Sequence, residues 1–140
     1  MAIAALNHRP VICDKPETRL GAMIEYLRAV VLAPDEGWER CHAIFVDAQR
    51  CYLGDAACGM GSRGALSLRM RAIFADALRL DARGMILAHN HPSGHCRPSG
   101  CDIAATRRLA DMARALDIDL LDHLIITHEA VYSMRAGGLL

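Results

Sequence analysis

The sequence predicts a single α/β domain in which a mixed β-sheet is flanked by helices. Three observations point there. Segments with apolar residues spaced by three and four alternate with short apolar runs of strand length. Two strand pairs are joined by hairpin-like turns, whereas Gly84–Ala88 is a continuous apolar run suited to a strand covered on both faces. Finally, 140 residues, 53% of them hydrophobic, are enough for one core and argue against a disordered chain.

Residues 1–16 read as an irregular arm, because Pro10 and Pro16 prevent a long helix, and the domain is expected over 17–140. From Glu17 to Leu32, apolar Leu20, Met23, Ile24, Leu27, Val30 and Val31 mark an amphipathic helix, with Thr18 or Asp14 as its cap. The stretch 33–37 is a break. Cys41–Val46 is a buried strand, 47–50 a hairpin turn and Cys51–Cys58 the partner strand. Gly59, Gly61 and Gly64 punctuate a connection. Arg69–Leu80 reads as a helix with Met70, Ile73, Phe74, Ala77 and Leu78 on one face. Pro92–Pro98 is a loop. Ser99–Leu116 is a helix turning Ile103, Leu109, Ala110, Met112, Ala113 and Leu116 inward. Leu120–Thr127 and Val131–Met134 close the chain as a second hairpin. Repeats and low-complexity tracts are absent from the sequence.

The charge balance narrows the function. Sixteen basic and sixteen acidic residues cancel, so the total gives no basic field for displacing counterions from nucleic acid. Lys15 is the single lysine, and the Arg63, Arg69 and Arg71 cluster reads as a solvated face. The apolar start covers only six residues and lacks the features of a signal peptide. A membrane span needs roughly 18 apolar residues, which no stretch supplies. A cytoplasmic protein is expected. Its six cysteines are then free thiols rather than a disulfide framework, with Cys41, Cys51 and Cys58 acting as small buried hydrophobes.

The chemistry concentrates at 89–102. Strand residues i and i+2 share a face, so His89 and His91 can present two imidazoles to one point. Asp102 follows across a loop and adds a carboxylate. Three protein ligands of these types suit Zn2+ at a catalytic centre, where the fourth position stays open for water. Ser99-x-x-Asp102 is equally the pattern of a helix capping box, in which the acid is committed to the chain turn. A carboxylate fully engaged in a cap would ligate poorly, and spacing alone leaves the two readings level.

The string His89-Asn-His-Pro-Ser-Gly94, followed by Ser99-Gly-Cys-Asp102, has the form His-x-His-x7-Ser-x2-Asp. It resembles the JAMM motif, and the surrounding sequence is similar to the RadC-like branch of the JAB/MPN metalloprotease family. The similarity extends through 77–88, 106–109, 121–126 and Tyr132-Ser133, covering roughly 17–137. The resemblance implies a JAB/MPN domain with a layout related to cytidine deaminases, a mixed sheet between helices. It implies zinc ligation by His89, His91 and Asp102, and support of the tetrahedral intermediate by Ser99. It also implies an upstream glutamate as general base: Glu39, which leads a strand ending in Val46-Asp47, with Glu36 as the alternative. The implied activity is hydrolysis of a peptide or isopeptide bond in a peptide or protein substrate.

The chain departs from that pattern at His95-Cys96-Arg97-Pro98, where relatives place Asp-Pro-Thr-Pro. His95, Cys96 or Cys101 could fill the fourth coordination position, although solvent-facing side chains are the favoured expectation. His42 and His123 lie in apolar text and read as satisfied core or edge histidines. The RadC-like resemblance also carries a DNA-repair label, which the neutral charge does not support. A helix-hairpin-helix module of the kind found in larger relatives would not fit before residue 17. The competing functions are a non-catalytic binding module and a DNA-associated protein. Oligomeric state is open.

Overall fold

The computed structural model describes residues 16–32, 37–61 and 67–140. Residues 1–15 of the expected arm, Cys13 and Asp14 among them, and Glu36, Arg63 and Gly64 lie outside the described residues, whereas Pro16 belongs to α1. The elements run α1 (Pro16–Val31), β1 (Glu39–Val46), β2 (Tyr52–Gly61), α2 (Met70–Arg79), β3 (Gly84–Asn90), α3 (Gly100–Ala115), β4 (Asp119–Ile126) and β5 (Val131–Ser133). The expected α/β class holds, and each expected helix and strand is present within a few residues of its predicted bounds.

The five strands form one mixed sheet in the order β2-β1-β3-β4-β5. β1 pairs antiparallel with β2 and β3, β3 pairs parallel with β4, and β4 pairs antiparallel with β5. α3 is the crossover that the parallel pair requires. β3 is therefore central, and only one of its seven residues is more than marginally exposed, as its unbroken apolar text implies. Alternation along the strands divides the core in two. Ala43, Phe45, Met85 and Leu87 pack with Ile73 and Ala77 of α2 and with Leu109 and Ala113 of α3. Ile44, Val46, Ala88 and Leu124 pack against Leu27 and Val31 of α1. Burying side chains such as Leu27 and Val31 stabilises by about 1.5–3 kcal/mol each, which holds α1 on its face. Polar contacts set its position: Tyr26 Oη donates to Asp55 Oδ2 at 2.6 Å, and Arg28 Nη1 donates to the Thr127 carbonyl at 2.7 Å.

Both hairpins form. In the first, Asp47 Oδ1 accepts from the N–H groups of Gln49 and Cys51 at 2.9 and 2.8 Å, and Arg50 adopts φ +65°. Several expectations need correction. Gly59 and Gly61 belong to β2, not to a connection. Gly59 is there because a Cβ would sit 2.3 Å from the Ser67 carbonyl oxygen, where the returning chain bridges to the strand at Leu68. Thr18 lies inside α1, two residues after Pro16, whose missing N–H costs nothing in a first turn. Leu78, Met112 and Leu116 face outward, with 57%, 37% and 42% exposure. On α3 the inward stripe runs Asp102, Thr106, Leu109, Ala113, so two of its four members are polar. Helices α2 and α3 end without glycine: Asp81 (φ +50°) and Asp117 (φ +57°) take the left-handed position. The next N–H groups, of Ala82 and Ile118, bond back to Ala77 and Ala113 at 2.9 Å.

No helix among the described residues is long and apolar enough to cross a membrane.

Candidate metal centre

The site forms where β3 ends and α3 begins. His89 is the sixth residue of β3 and points to the α3 side of the sheet, and His91 follows on the same face at the strand exit. α3 starts at a complete capping box. The Ser99 Oγ accepts from the Asp102 N–H at 3.0 Å, and Asp102 Oδ2 accepts from the Ser99 N–H at 2.8 Å. The cap therefore places Asp102 in the first turn, where the partial positive charge of the helix terminus also favours a carboxylate.

These elements bring His89, His91 and Asp102 together in a group that could hold a metal ion. His89 Nε2 and His91 Nε2 are 3.0 Å apart. His91 Nε2 is 3.1 Å from Asp102 Oδ2, and His89 Nε2 is 3.5 Å from Oδ1. The capping role and the cluster thus coexist, contrary to the either-or expectation. A carboxylate offers about four lone-pair directions. Oδ2 serves the cap and faces His91, while Oδ1 turns to His89. Burial pushes the Asp102 carboxyl up, but the His89 and His91 rings and the Ser99 N–H facing it outweigh this and hold it well below the usual carboxylate range. His91 is raised above the usual histidine value by its bond to Asp102, against the opposing effect of burial, with the His95 carbonyl and the Glu39 charge adding to the rise.

Glu39 opens β1, two residues before Cys41, which pairs with His89 across the sheet. It is buried, yet lines a cleft of about 580 Å3 together with His91, His95, Arg97 and Ser99. Glu36 lies outside the described residues. Of the neighbouring side chains expected to compete for the fourth coordination position, none joins the cluster: His95 in the loop and Cys101 in α3 are exposed, and Cys96 is half-buried. His95 instead contributes its backbone carbonyl, 2.7 Å from His91 Nδ1. A larger cleft of about 710 Å3, around Arg107, Arg114 and Arg135, contains none of these residues.

Two further residues lie at the centre: His123, expected only as a satisfied core or edge histidine, and Thr106, to which the sequence assigned no role. His123 is fully buried, and its Nε2 lies 2.6 Å from His89 Nδ1. Its Nδ1 lies 2.6 Å from Thr106 Oγ1. Burial, then the His89 ring, hold His123 well below the usual histidine value. It is the satisfied core histidine the sequence suggests, but one of its partners is a member of the cluster. His42 is also satisfied, bonding to Asp55 on the opposite, α1-side face. Cys41 and Cys58 are buried free thiols, 2.9 Å apart, beneath the site.

The model of the RadC-like JAB domain family matches residues 18–139. The chain belongs to that family. The RadC-like JAB domain is 39% identical over 102 residues to a UPF0758 protein of Bordetella avium (strain 197N), covering 73% of this chain and 45% of that protein. It is 40% identical over 101 residues to a UPF0758 protein of Roseiflexus castenholzii (strain DSM 13941 / HLO8), covering 72% and 43%. With a UPF0758 protein of Pelodictyon phaeoclathratiforme (strain DSM 5477 / BU-1) the identity is 32% over 118 residues, covering 84% and 52%. The chain spans about half the length of these relatives, or slightly less. Their names state no activity.

Proposed function

We infer that this RadC-like JAB domain holds one zinc ion through His89, His91 and Asp102 and hydrolyses a peptide or isopeptide bond. The observation that carries this is the convergence of two imidazole Nε2 atoms, 3.0 Å apart, on one carboxylate, with Oδ2 3.1 Å from His91 and Oδ1 3.5 Å from His89. Tetrahedral zinc with ligands at about 2.0–2.1 Å has ligand–ligand edges near ~3.3 Å. The donor chemistry fits as well. The His95 carbonyl can only accept, so in neutral His91 it fixes the proton on Nδ1 and leaves the Nε2 lone pair facing the cluster. Two imidazoles and one carboxylate suit a borderline-soft cation, and His91 lines the same cleft as Glu39 and Ser99, from which a substrate would approach a catalytic zinc.

When bound, zinc supplies Lewis-acid activation of water and of the scissile carbonyl. The chain's own residues supply the rest. Glu39, lining the same cleft, accepts the proton from the attacking water and delivers it to the leaving amine. Ser99 uses its oxygen lone pair to cap α3, which leaves its O–H proton to donate to the developing oxyanion. Asp102, anchored by the Ser99 N–H, and His91, anchored by the His95 carbonyl, are oriented before any ligand arrives.

The test is incubation of the zinc-loaded protein with a peptide library that includes Lys Nε isopeptides, read by mass spectrometry for new termini. Glu39→Gln should retain zinc and lose hydrolysis by about 10²–10⁴-fold. Wild-type protein that holds zinc and cleaves nothing would favour a non-catalytic binding module.

A further inference from the structure

We propose that His123 and Thr106 form a buried relay that fixes the proton of His89 on Nδ1, so that His89 always presents a bare Nε2 to the metal position. The proposal rests on the metal reading above for its consequence, but not for its geometry.

The relay follows from counting protons along three contacts. Thr106 lies one turn after Asp102 on α3, and its hydroxyl donates to the Asp102 carbonyl at 2.6 Å. A hydroxyl has one proton, so toward His123 Nδ1, also at 2.6 Å, Thr106 Oγ1 must accept. His123 therefore carries its proton on Nδ1. Its ring is fully buried and hydrogen-bonds to no carboxylate among the described residues, so an imidazolium there would lack a paired countercharge. The neutral ring leaves Nε2 as an acceptor, and what faces it at 2.6 Å is His89 Nδ1. His89 Nδ1 must then be the donor. Its remaining nitrogen, Nε2, points bare at His91 Nε2 and Asp102.

The relay also sets direction. His123 pairs with Leu87 in β4 alongside β3, on the same sheet face as His89 and diagonal to it. The two rings are 4.7 Å apart and inclined at 61°, an edge-on contact that limits rotation of His89 about its side-chain bonds. Because Thr106 bonds to the backbone of Asp102 itself, one hydroxyl couples two members of the cluster through opposite ends of the relay. His123 and Thr106 are positioning residues: they touch neither substrate nor metal.

Two measurements test this. Long-range 1H–15N correlation NMR of the metal-free protein reads the tautomer of each neutral histidine. His89 should carry its proton on Nδ1 and His123 on Nδ1. A His89 proton on Nε2 in the wild type overturns the relay whether or not the protein binds zinc. Zinc affinity, measured by chelator competition, reads the consequence. Thr106→Val keeps the shape but removes the acceptor for His123 Nδ1, so His123 can flip its tautomer and donate to His89. Affinity should fall about 10–100-fold, with the His89 proton moving to Nε2. Thr106→Ser should restore both, which a purely space-filling role would not explain. His123→Gln, which keeps an acceptor and a donor, should bind zinc more tightly than His123→Leu. Wild-type affinity in folded Thr106→Val, with an unchanged His89 tautomer, would overturn the proposal. Failure of the wild type to bind zinc would instead count against the metal reading, leaving the tautomer result to decide the relay.

Discussion

The Ser99 N–H donates to Asp102 Oδ2 at 2.8 Å, and that same oxygen lies 3.1 Å from His91 Nε2. One carboxylate thus closes the first turn of α3 and completes the His-His-Asp cluster. The helix cap is the device that aims the acid, so stability and metal affinity should respond differently to substitutions at the two ends of the box.

Asp102→Asn retains an oxygen that can accept from the Ser99 N–H, whereas Asp102→Ala does not. In the metal-free state the Asn variant should therefore be more stable than the Ala variant, by about 1 kcal/mol. Neither should hold zinc as wild type does. Urea unfolding with and without zinc checks both statements.

Ser99→Ala removes the oxygen that accepts the Asp102 N–H, but leaves the Ser99 backbone N–H that holds Oδ2. The expected cost is about 1 kcal/mol of stability with zinc retained. If the hydroxyl supports the oxyanion, turnover should fall by about 10²–10³-fold. Equal losses of zinc and turnover would show that the cap alone matters.

How far the sequence reveals this site depends on the range of the contacts. His89, His91 and Asp102 are joined by strand alternation and one short loop, so their convergence is visible in spacing. The partnership of His89 with His123 is not, because it depends on the register of a parallel pair formed only after α3 crosses over. Thr106 reads as an ordinary helix residue until its one-turn offset from Asp102 is seen against β4. The same limit explains Gly59, which looks like a loop residue until the chain at Ser67 is found pressed against it. It also explains Leu78, Met112 and Leu116, whose apolar side chains fit the helical period but fall outside the faces that the sheet covers.

Gly59→Ala should destabilise the domain by about 1–3 kcal/mol, since the new methyl meets the Ser67 carbonyl oxygen at 2.3 Å and backbone must yield. A lowered urea midpoint with unchanged zinc stoichiometry is the expected result.

On the opposite face, Asp55 accepts from Tyr26 and Tyr52 at 2.6 Å each, and from His42. Burial pushes its carboxyl up, but the three bonds outweigh this and hold it below the usual carboxylate range. A depressed folded value means that its stabilisation is present above the unfolded carboxylate value of about 3.9. It is lost as pH falls through the folded value. Asp55→Asn should cost about 1–3 kcal/mol at neutral pH. The gap to wild type should narrow as pH drops below about 4, as read from urea midpoints across a pH series.

Elemental analysis of the folded protein, purified without chelator and reloaded with zinc, tests the central claim most directly. About one zinc per chain is expected in the wild type, and a loss of that zinc in folded His89→Ala. A wild-type protein that is folded, metal-free and unable to take up zinc, or a His89→Ala variant that binds zinc as the wild type does, would contradict it.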